Sequence, residues 1–497
     1  MMWLMLNWFD HLEVGCNFEG LQGPRVAARA MLVLADAMHW PSLRSGRHGL
    51  RSPTRAAWIW GTLLIFSSGC RCAEDAHHEQ DRGPLPELKL LEPEEGERVQ
   101  GRCAVLQGQA PVVRAHVEGS AEPTSVEVGG GVLSGRNIGL FAQRNDGTTH
   151  AFLALFGPLQ AVREVELGRV HGAADPPVAV MHDGALLGVI SDNEAMGQTL
   201  QVVRVDDPWG KPRVTRGPTI SAGRDDSWAA SLAIGHTGNA VLVWDQYDRA
   251  SARSRIWSQA FDATTLREKR APQVLSSPEI DAEEPRLETG PSGFFLSYVE
   301  LDASKVVAAG DALMDEPART LHVQLLDVSG IVSAPALSIS EPTEQLLAFD
   351  ALAVGPELYL AYRSGARGNT VEENAIHLAR LGAGGAVERS VAEHPLLGPG
   401  APLLLGEQAT APAERSRSGG APWLLARGEE TELLWAEIGD FNRIELAVEP
   451  QLNERLPLAR HGSQLLALRA VGLDWALEVV DCAVTKPENS PAKAGGK

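Results

Sequence analysis

The chain lacks long apolar runs and is poor in aromatic residues. Aromatic residues make up 5% of its 497 residues, and after residue 70 no run of about 18 apolar residues occurs, the length that a membrane-spanning helix needs. No long stretch repeats its apolar residues with the 3.6-residue period of an amphipathic helix. The region after residue 70 is therefore not predicted to be helical, and it is long enough for a large all-β domain.

Positive charge is also scarce. The sequence has 44 Lys and Arg residues against 64 Asp and Glu residues, which gives a formal net charge of −20. A nucleic-acid-binding protein needs a basic surface for the phosphate backbone. We therefore predict that nucleic acid is not a partner.

Signatures of catalysis are missing as well. The sequence contains no P-loop, no G-x-S-x-G, no H-E-x-x-H, no C-x-x-C pair and no glycine-rich dinucleotide fingerprint. The calcium loop D-x-[DN]-x-[DN]-G and the sialidase box S-x-D-x-G-x-x-W are absent too. The sequence thus indicates an architecture more clearly than an activity, and no catalytic residue is predicted.

What the sequence does contain is a repeat, clearest at residues 239–265. Two runs rich in apolar and β-branched residues, 239–244 and 255–261, flank a polar segment and predict two strands. Seven such pairs follow one another. Their first strands are predicted at residues 138–144, 185–191, 239–244, 293–299, 357–362, 422–426 and 463–468, and their second strands at 150–156, 199–205, 255–261, 320–326, 375–381, 432–438 and 474–482.

The spacing of the pairs predicts the fold. The pairs recur roughly every 40 to 65 residues, and a weaker strand ending in a Gly-containing turn precedes most of them, which is typical of four-stranded propeller blades. We predict an all-β, seven-bladed β-propeller over residues 101–485. Six or eight blades remain alternatives, because the innermost strand of the sixth repeat, near residues 403–406, is poorly defined.

The last repeat has no outer strand of its own, because only a polar tail at 486–497 follows it. A propeller must close its ring to remove its open edges. We expect the N-terminal segment 101–107 or 112–117 to supply the missing strand. Cys103 would then lie beside Cys482 and could form a disulfide with it in an oxidising compartment. The alternative is two separate buried thiols.

The N-terminal part is predicted to be an export signal. Residues 1–37 fit no pattern that follows, and their translation is doubtful. Residues 38–69 combine a basic segment with the apolar run 56–66, as in a signal peptide. The end of this segment, with Ser68, Gly69 and Cys70, resembles a bacterial lipobox, although Ser67 stands where that family prefers Leu. The resemblance implies lipidation of Cys70, and Arg71 after it implies the outer membrane, on the periplasmic or the cell-surface side.

After the lipobox, residues 70–100 are polar, acidic and Pro-containing, and we expect a flexible tether. With the strand repeat, clearest at 242–262 and 294–327, the chain resembles bacterial seven-bladed β-propeller lipoproteins. The resemblance does not specify an activity; the repeat fold, the anchor and the lack of a catalytic motif together predict a non-enzymatic scaffold that is held to the membrane by its lipid and binds an envelope protein or a glycan. The alternative is a hydrolase or lyase that uses carboxylates at the mouth of the channel.

One set of acidic residues is a candidate site. Each member precedes or begins a predicted innermost strand, and the set is Glu122, Asp175, Asp226, Glu284, Glu344 and Glu454. If the blades are equivalent, these carboxylates ring one mouth of the channel and could hold Ca²⁺ or a cationic ligand. In the alternative interpretation they accept backbone N–H bonds or pair with arginines. No other cofactor and no other metal site is predicted, since His182, His236 and His461 are interpreted as exposed turn residues.

Overall fold

The structure is a computed structural model, and it describes residues between Cys103 and Cys482 with gaps. The longer gaps are 114–124, 171–177, 308–315, 366–374 and 408–420. The predicted signal peptide, lipidated Cys70, tether and C-terminal tail lie outside the described residues. None of the helices that the structure describes is both long and apolar enough to cross a membrane.

The described residues form 29 strands and one short 3₁₀ helix. The first fourteen strands are β1 Ala104–Val105, β2 Val112–Val113, β3 Ser125–Ser134, β4 Asn137–Asn145, β5 His150–Pro158, β6 Arg163–Val170, β7 Val178–His182, β8 Ala185–Glu194, β9 Gly197–Asp206, β10 Arg213–Ile220, β11 Asp226–Ile234, β12 Asn239–Asp248, β13 Arg253–Asp262 and β14 Gln273–Val274.

The second half of the chain continues the same pattern. Its strands are β15 Asp281–Gly290, β16 Gly293–Val307, β17 Glu316–Asp327, β18 Leu337–Ser338, β19 Gln345–Val354, β20 Glu357–Gly365, β21 Ala375–Leu381, β22 Val387–Glu393, β23 Leu403–Glu407, β24 Pro422–Arg427, β25 Leu433–Glu437, β26 Ala447–Val448, β27 Arg455–His461, β28 Gln464–Val471 and β29 Asp474–Asp481. The 3₁₀ helix Pro450–Leu452 precedes β27.

These strands form seven antiparallel sheets, and each sheet is one blade. Blades 1 to 6 each contain four consecutive strands, from β3–β6 to β23–β26, and blade 7 contains β27, β28 and β29. The first strand of every blade contacts the first strands of both neighbouring blades, and β27 contacts β3, so that these strands surround a central channel. The prediction of a seven-bladed all-β propeller is confirmed, and the uncertain strand of the sixth repeat is β23.

The N-terminal segment closes the ring, as predicted. Both candidate segments take part: Ala104 of β1 pairs with Asp481 at one end of β29, and Val112 of β2 pairs with Ala476 near its other end. The outer strand of blade 7 is therefore built in two pieces. A disulfide joins Cys103 to Cys482 at the start of this outer strand, and both residues are buried.

The hydrophobic core is divided among the interfaces between blades. In the described part of the chain, seven clusters of buried side chains occur, and each draws residues from two neighbouring blades. Leu187 of blade 2 and Trp244 of blade 3, for example, belong to one cluster, while Val241 of blade 3 and Tyr298 of blade 4 belong to the next. A blade is thus apolar on both faces, and its two neighbours bury it.

Glycines allow close packing at the channel and within a blade. A Cβ atom on Gly130 of β3 would lie 2.1 Å from the backbone nitrogen of Ala179 in β7. A Cβ atom on Gly406 of β23 would lie 1.8 Å from Cζ2 of Trp423. Neither position accepts a side chain without movement of its neighbour, because real Cβ atoms do not come that close.

Two polar segments between the predicted strands, which we expected to be loops, are mostly strand in their described residues. The segment 245–254 contains the end of β12 and the start of β13, which pair as far as Asp248 and Arg253. The segment 300–319 likewise continues β16 and β17, which pair as far as Val307 and Glu316. Polar and charged residues mask the strand pattern in these segments, although Asp245, Gln246 and Ser254 are buried.

Candidate functional site

The six acidic residues predicted to ring the channel mouth are only partly covered by the structure. Glu122, Asp175 and Glu344 lie outside the described residues. Asp226 is the first residue of β11, and Glu454 directly precedes β27. The sixth residue, Glu284, lies inside β15.

The three described positions are not equivalent in their blades. Asp226 of blade 3 pairs with Tyr247, the ninth residue of β12. In blade 4, the residue that pairs with the ninth residue of β16, Leu301, is Asp281. Asp281, and not Glu284, is therefore the counterpart of Asp226. Glu284 lies further along β15, in an irregularity between Glu283 and Arg286 where it has a φ of 55°. The set therefore does not define a single level of the channel. Its proposed role as a ring for Ca²⁺ or a cationic ligand stays a prediction.

Glu284 forms an ion pair, as one alternative interpretation expected. Its Oε1 lies 2.9 Å from Nη2 of Arg319, and half of the Glu284 side chain is exposed. Nearby, the pKa of Glu283 is raised, mainly by burial and then by the charge of Asp281. Among the described residues, no group of three or more His, Cys, Asp or Glu side chains is arranged to hold a metal ion.

The carboxylate that caps backbone N–H groups at this level is Asp245 of β12, which the sequence analysis did not single out. One oxygen accepts a hydrogen bond from the N–H of Ala229 in blade 3 at 2.9 Å, and the other from the N–H of Glu284 in blade 4 at 3.0 Å. Asp245 is 5% exposed. This side chain therefore joins the innermost strands of two blades.

A second group of charged side chains meets inside the channel. We call Glu288 of β15, Asp350 of β19 and Arg460 of β27 the channel cluster. Nη1 of Arg460 lies in ion-pair contact with Oδ2 of Asp350, and its Nη2 donates to the carbonyl oxygen of Ala351 at 2.9 Å and lies 3.5 Å from Oε1 of Glu288. Blade 7 adjoins neither blade 4 nor blade 5, so the side chain of Arg460 must reach across the channel.

Asp350 connects three blades through one carboxylate. Its Oδ2 contacts Arg460 of blade 7 and also accepts the backbone N–H of Leu405 in blade 6 at 2.8 Å. Asp350 itself belongs to blade 5 and is 8% exposed. Since a buried charge is costly unless it is paired and hydrogen-bonded, these contacts explain how a carboxylate is retained within an apolar strand.

Glu288 is held more loosely than Asp350. Its two oxygens lie 3.5 Å from Nη2 of Arg460 and 3.4 Å from the backbone nitrogen of Ala353, both at the long end of the hydrogen-bond range. Its side chain is 29% exposed. Burial raises the pKa of Glu288 to about 7, with Asp350 adding to the rise and Arg460 opposing it.

For Arg460, the neighbouring charges outweigh the effect of burial on the pKa. Burial alone would lower the pKa of its guanidinium, but the carboxylates of Asp350 and Glu288 hold the pKa above its usual value. The channel cluster thus combines a fixed cation with a carboxyl group that can take up or release a proton near neutral pH. Perturbed carboxyl groups of this kind are common at functional sites, although structural ion pairs produce them too.

The channel cluster was missed in the sequence analysis, although Asp350 and Arg460 each leave a signal. Asp350 interrupts the apolar strand LLAFDALAV, and Arg460 follows the apolar run LPLA. A charged residue inside an apolar strand needs a partner. The sequence cannot identify the partner, since Glu288 and Arg460 are 172 residues apart.

Two histidines that the sequence analysis did not consider lie at matching positions in blades 4 and 5. His322 stacks on Tyr298 and contacts Glu300 at 3.2 Å. His377 stacks on Tyr362 and contacts Ser364 at 3.1 Å. In each blade the histidine faces the aromatic residue across the strand pair. These side chains are half-buried or buried within single blades, so they contribute to blade packing.

No protein-family model matches the sequence, and neither does any curated protein. Among solved structures, the chain is similar to the polysaccharide lyase Uly1, with a TM-score of 0.46, 10% identity, and coverage of 77% of this chain and 99% of that one. It is also similar to the Dos1 propeller, with a TM-score of 0.44, 12% identity, and coverage of 75% and 83%.

A further similarity is to an alpha-L-arabinanase of Penicillium chrysogenum, with a TM-score of 0.40, 13% identity, and coverage of 76% of this chain and 99% of that one. Identities this low carry no information about substrate or partner. The fold assignment rests on the strand pairing described above.

We expect Glu288→Gln to change how the free energy of unfolding depends on pH. The folded-state pKa of about 7 lies above the ordinary 4.5, so the folded protein binds more protons than the unfolded chain between these values. Its contribution to stability is complete below pH 4.5 and is lost as the pH rises through 7. The variant should match the wild type at pH 5 and exceed it at pH 8 by about 1–3 kcal/mol.

Denaturant unfolding at the two pH values measures this difference. Glu284→Gln on the same strand is the control, and it should show a smaller change because its side chain is exposed. Parallel curves of stability against pH for wild type and Glu288→Gln would contradict the perturbed pKa.

Proposed function

We propose that the protein is an exported lipoprotein, anchored at Cys70 in the outer membrane, that acts as a non-enzymatic propeller scaffold. Its partner is an envelope protein or a glycan. The observation that supports a binding role most directly is a hairpin that extends from blade 4. We call the described part of this hairpin, residues 302–307 and 316–318, the blade 4 arm.

The blade 4 arm extends beyond the sheet to which it belongs. β16 has 15 residues and β17 has 12, whereas the matching strands of blade 3 have 10 each. β15 pairs with β16 only as far as Leu301, but β16 and β17 continue to pair up to Val307 and Glu316. The five extra residues of β16 span roughly 15 Å. Paired strands that continue past the innermost strand of their blade are suited to contact with a partner.

The way in which the chain enters the propeller supports display on a membrane. Cys103 starts the outermost strand of blade 7, so a tether ending there joins the rim of the ring and not the mouth of the channel. Disulfides persist in oxidising compartments, and the bond between Cys103 and Cys482 is consistent with export. In the entropic model, a crosslink over a sequence separation of 379 stabilises the domain by about 5–6 kcal/mol, an upper figure.

If Cys70 carries the lipid anchor, a substitution of Cys70 should change the cell fraction in which the protein is found. Cys70→Ser in the full chain removes the sulfur that would carry the lipid, so the protein should move from the membrane to the soluble fraction. Detergent phase partitioning and metabolic labelling with a fatty acid measure this. Cys72→Ser, two residues away, is the matched control and should remain in the membrane fraction. Membrane association of Cys70→Ser equal to that of wild type would contradict the anchor.

The blade 4 arm predicts loss of a partner when it is shortened. Replacing residues 303–317 by Asn-Gly joins Asp302 to Ala318, which already face each other, by a two-residue hairpin turn. We expect a partner that co-purifies with the C-terminally tagged wild type from native membranes to be lost. The matched control replaces 249–252 by Asn-Gly between Asp248 and Arg253 in blade 3 and should retain it. A partner retained by the shortened arm contradicts this role.

A second candidate function is a hydrolase or lyase that acts on a glycan. Glu288 and Asp350 contact the same guanidinium, and the pKa of Glu288 is about 7. A neutral carboxyl beside a charged one is the arrangement that general acid–base catalysis of glycoside cleavage requires. Turnover of neutral or acidic polysaccharides by wild type should disappear in Glu288→Gln, and Asp226→Asn with Glu284→Gln tests the mouth carboxylates. No turnover in wild type excludes this candidate.

A further inference from the structure

Another group of charged side chains, separate from the channel cluster, lies in blade 7. Arg455 is the first residue of β27, and it pairs with Arg469 of the neighbouring strand β28. Glu478 of β29 lies on the same face of the sheet, because it pairs with Ala467, two residues from Arg469. We call Arg455, Arg469 and Glu478 the blade 7 cluster.

One buried carboxylate holds both guanidinium groups of the blade 7 cluster. Oε2 of Glu478 accepts a hydrogen bond from Nε of Arg455 at 2.8 Å, and Oε1 accepts one from Nε of Arg469 at 2.8 Å. The side chain of Glu478 is 8% exposed, that of Arg455 15% and that of Arg469 38%. The cluster therefore combines two positive charges with one negative charge, and the positive charges are the more accessible.

The remaining nitrogens of the two guanidinium groups are open to a ligand. Nη1 of Arg455 donates to the carbonyl oxygen of Asn453 at 3.1 Å. Within the part of the chain that the structure describes, Nη2 of Arg455 and both Nη atoms of Arg469 have no hydrogen-bond partner, and none of the three is sealed from solvent. Because the bonds to Glu478 fix both groups, their free donors form a preorganised pair of the kind that binds oxyanions.

A similar group in blade 2 lacks this arrangement. There Asp206 contacts Arg204 at 2.7 Å and Arg213 at 3.6 Å. Arg204 donates its Nη1 to the carbonyl oxygen of Ala263 in blade 3, and the side chain of Arg213 is 78% exposed. One guanidinium is thus used between blades, and the other is held loosely. Of these two groups, only the blade 7 cluster presents two guanidinium groups that are both fixed and accessible.

The charge of the whole chain restricts which anions can bind. With a formal net charge of −20, the protein repels polymers of high negative charge density, such as heavily sulfated glycans. This repulsion is screened beyond about 10 Å at 0.1 M salt, whereas a direct contact with a partly buried guanidinium is screened much less. A suitable ligand therefore carries isolated negative charges that neutral groups separate.

We propose that the blade 7 cluster binds the carboxylate of a uronic acid in a glycan whose other sugars are neutral. Arg469 and Nη2 of Arg455 donate to the carboxylate oxygens, and Glu478 positions both guanidinium groups. The proposal rests on the binding role proposed above, for which it names a ligand class and a site. It depends neither on the lipid anchor nor on the blade 4 arm.

Calorimetric titration of the full chain in detergent tests this site. The probes are tetrasaccharides in which glucuronate or galacturonate alternates with a neutral sugar, each beside its form with the carboxyl reduced to an alcohol. A uronate form should bind about ten- to a hundredfold more tightly than its reduced form, because the reduced form loses charge-assisted hydrogen bonds. Equal binding of the two forms, or no binding of any uronate form, overturns the proposal.

Substitution of Arg469 locates the binding. Arg469→Gln removes the more exposed guanidinium and leaves Glu478 paired with Arg455, and it should weaken uronate binding at least tenfold. Arg469→Lys keeps the charge but loses the planar fork, so it should recover only part of the loss. Arg213→Gln removes a guanidinium from the blade 2 group and should bind as wild type does. Equal losses in Arg469→Gln and Arg213→Gln would mean that only overall charge matters, which overturns the site.

Nuclear magnetic resonance of arginine side chains in the wild type does not depend on how a variant folds. The Nε–H signals of Arg455 and Arg469 should shift when a bound uronate tetrasaccharide is added, and its reduced form should leave them unchanged. A peptide with one glutamate among glycines represents an acidic protein ligand. Shifts of the same size with this peptide would overturn the assignment to a glycan.

The failure of this site can be distinguished from the failure of the blade 4 arm. If uronate binding is absent while the tagged protein keeps its co-purifying partner, the blade 7 site is refuted and the scaffold role is not. If uronate binding is present while the shortened arm keeps the partner, the role of the arm is refuted and the blade 7 site is supported.

Discussion

The structure depends on one constraint, which is that every blade is apolar on both faces. Each of the seven hydrophobic clusters in the described residues lies between two blades, so no blade has a core of its own. A missing or loosened blade would expose two apolar faces at once. This explains why the chain uses its N-terminal segment to complete blade 7, and why Cys103 and Cys482 belong to the cluster between blades 6 and 7.

Because the blades pack face to face around one axis, their innermost strands lie close together at the centre of the ring. The residues that allow this close approach differ between the two sides of the ring. Between blades 1 and 2, Gly130 brings β3 against the backbone of β7. Around blades 4 to 7, charged side chains fill the space, and they are stable there only because they pair across it. Glu288 is the exception, since its contacts are too long to offset its burial, and this is the physical cause of its raised pKa.

The strands could be predicted from the sequence because their signal is local. The two middle strands of each blade are buried on both faces, so they appear as apolar runs, as in β12 with NAVLVW. Three of the outer strands, β14, β18 and β26, have only two residues each and leave almost no pattern. The site was harder to predict. Irregular pairing within β15 shifts Glu284 away from the level of Asp226, and the contact of Arg460 with Glu288 depends on ring geometry that no local pattern encodes.

The distribution of these features indicates that the blades are equivalent in fold but not in chemistry. Blade 4 carries both the blade 4 arm and Glu288, so the hairpin that extends outward and the titratable group in the channel belong to the same sheet. Blade 6 lies between blades 5 and 7, and its Leu405 N–H donates to the same Asp350 carboxylate that Arg460 contacts. The contact between blades 5 and 7 thus also involves the blade that separates them. In a closed ring, a change in one blade alters the contacts between the two blades on either side of it. An asymmetric site can arise from a repeated fold in this way.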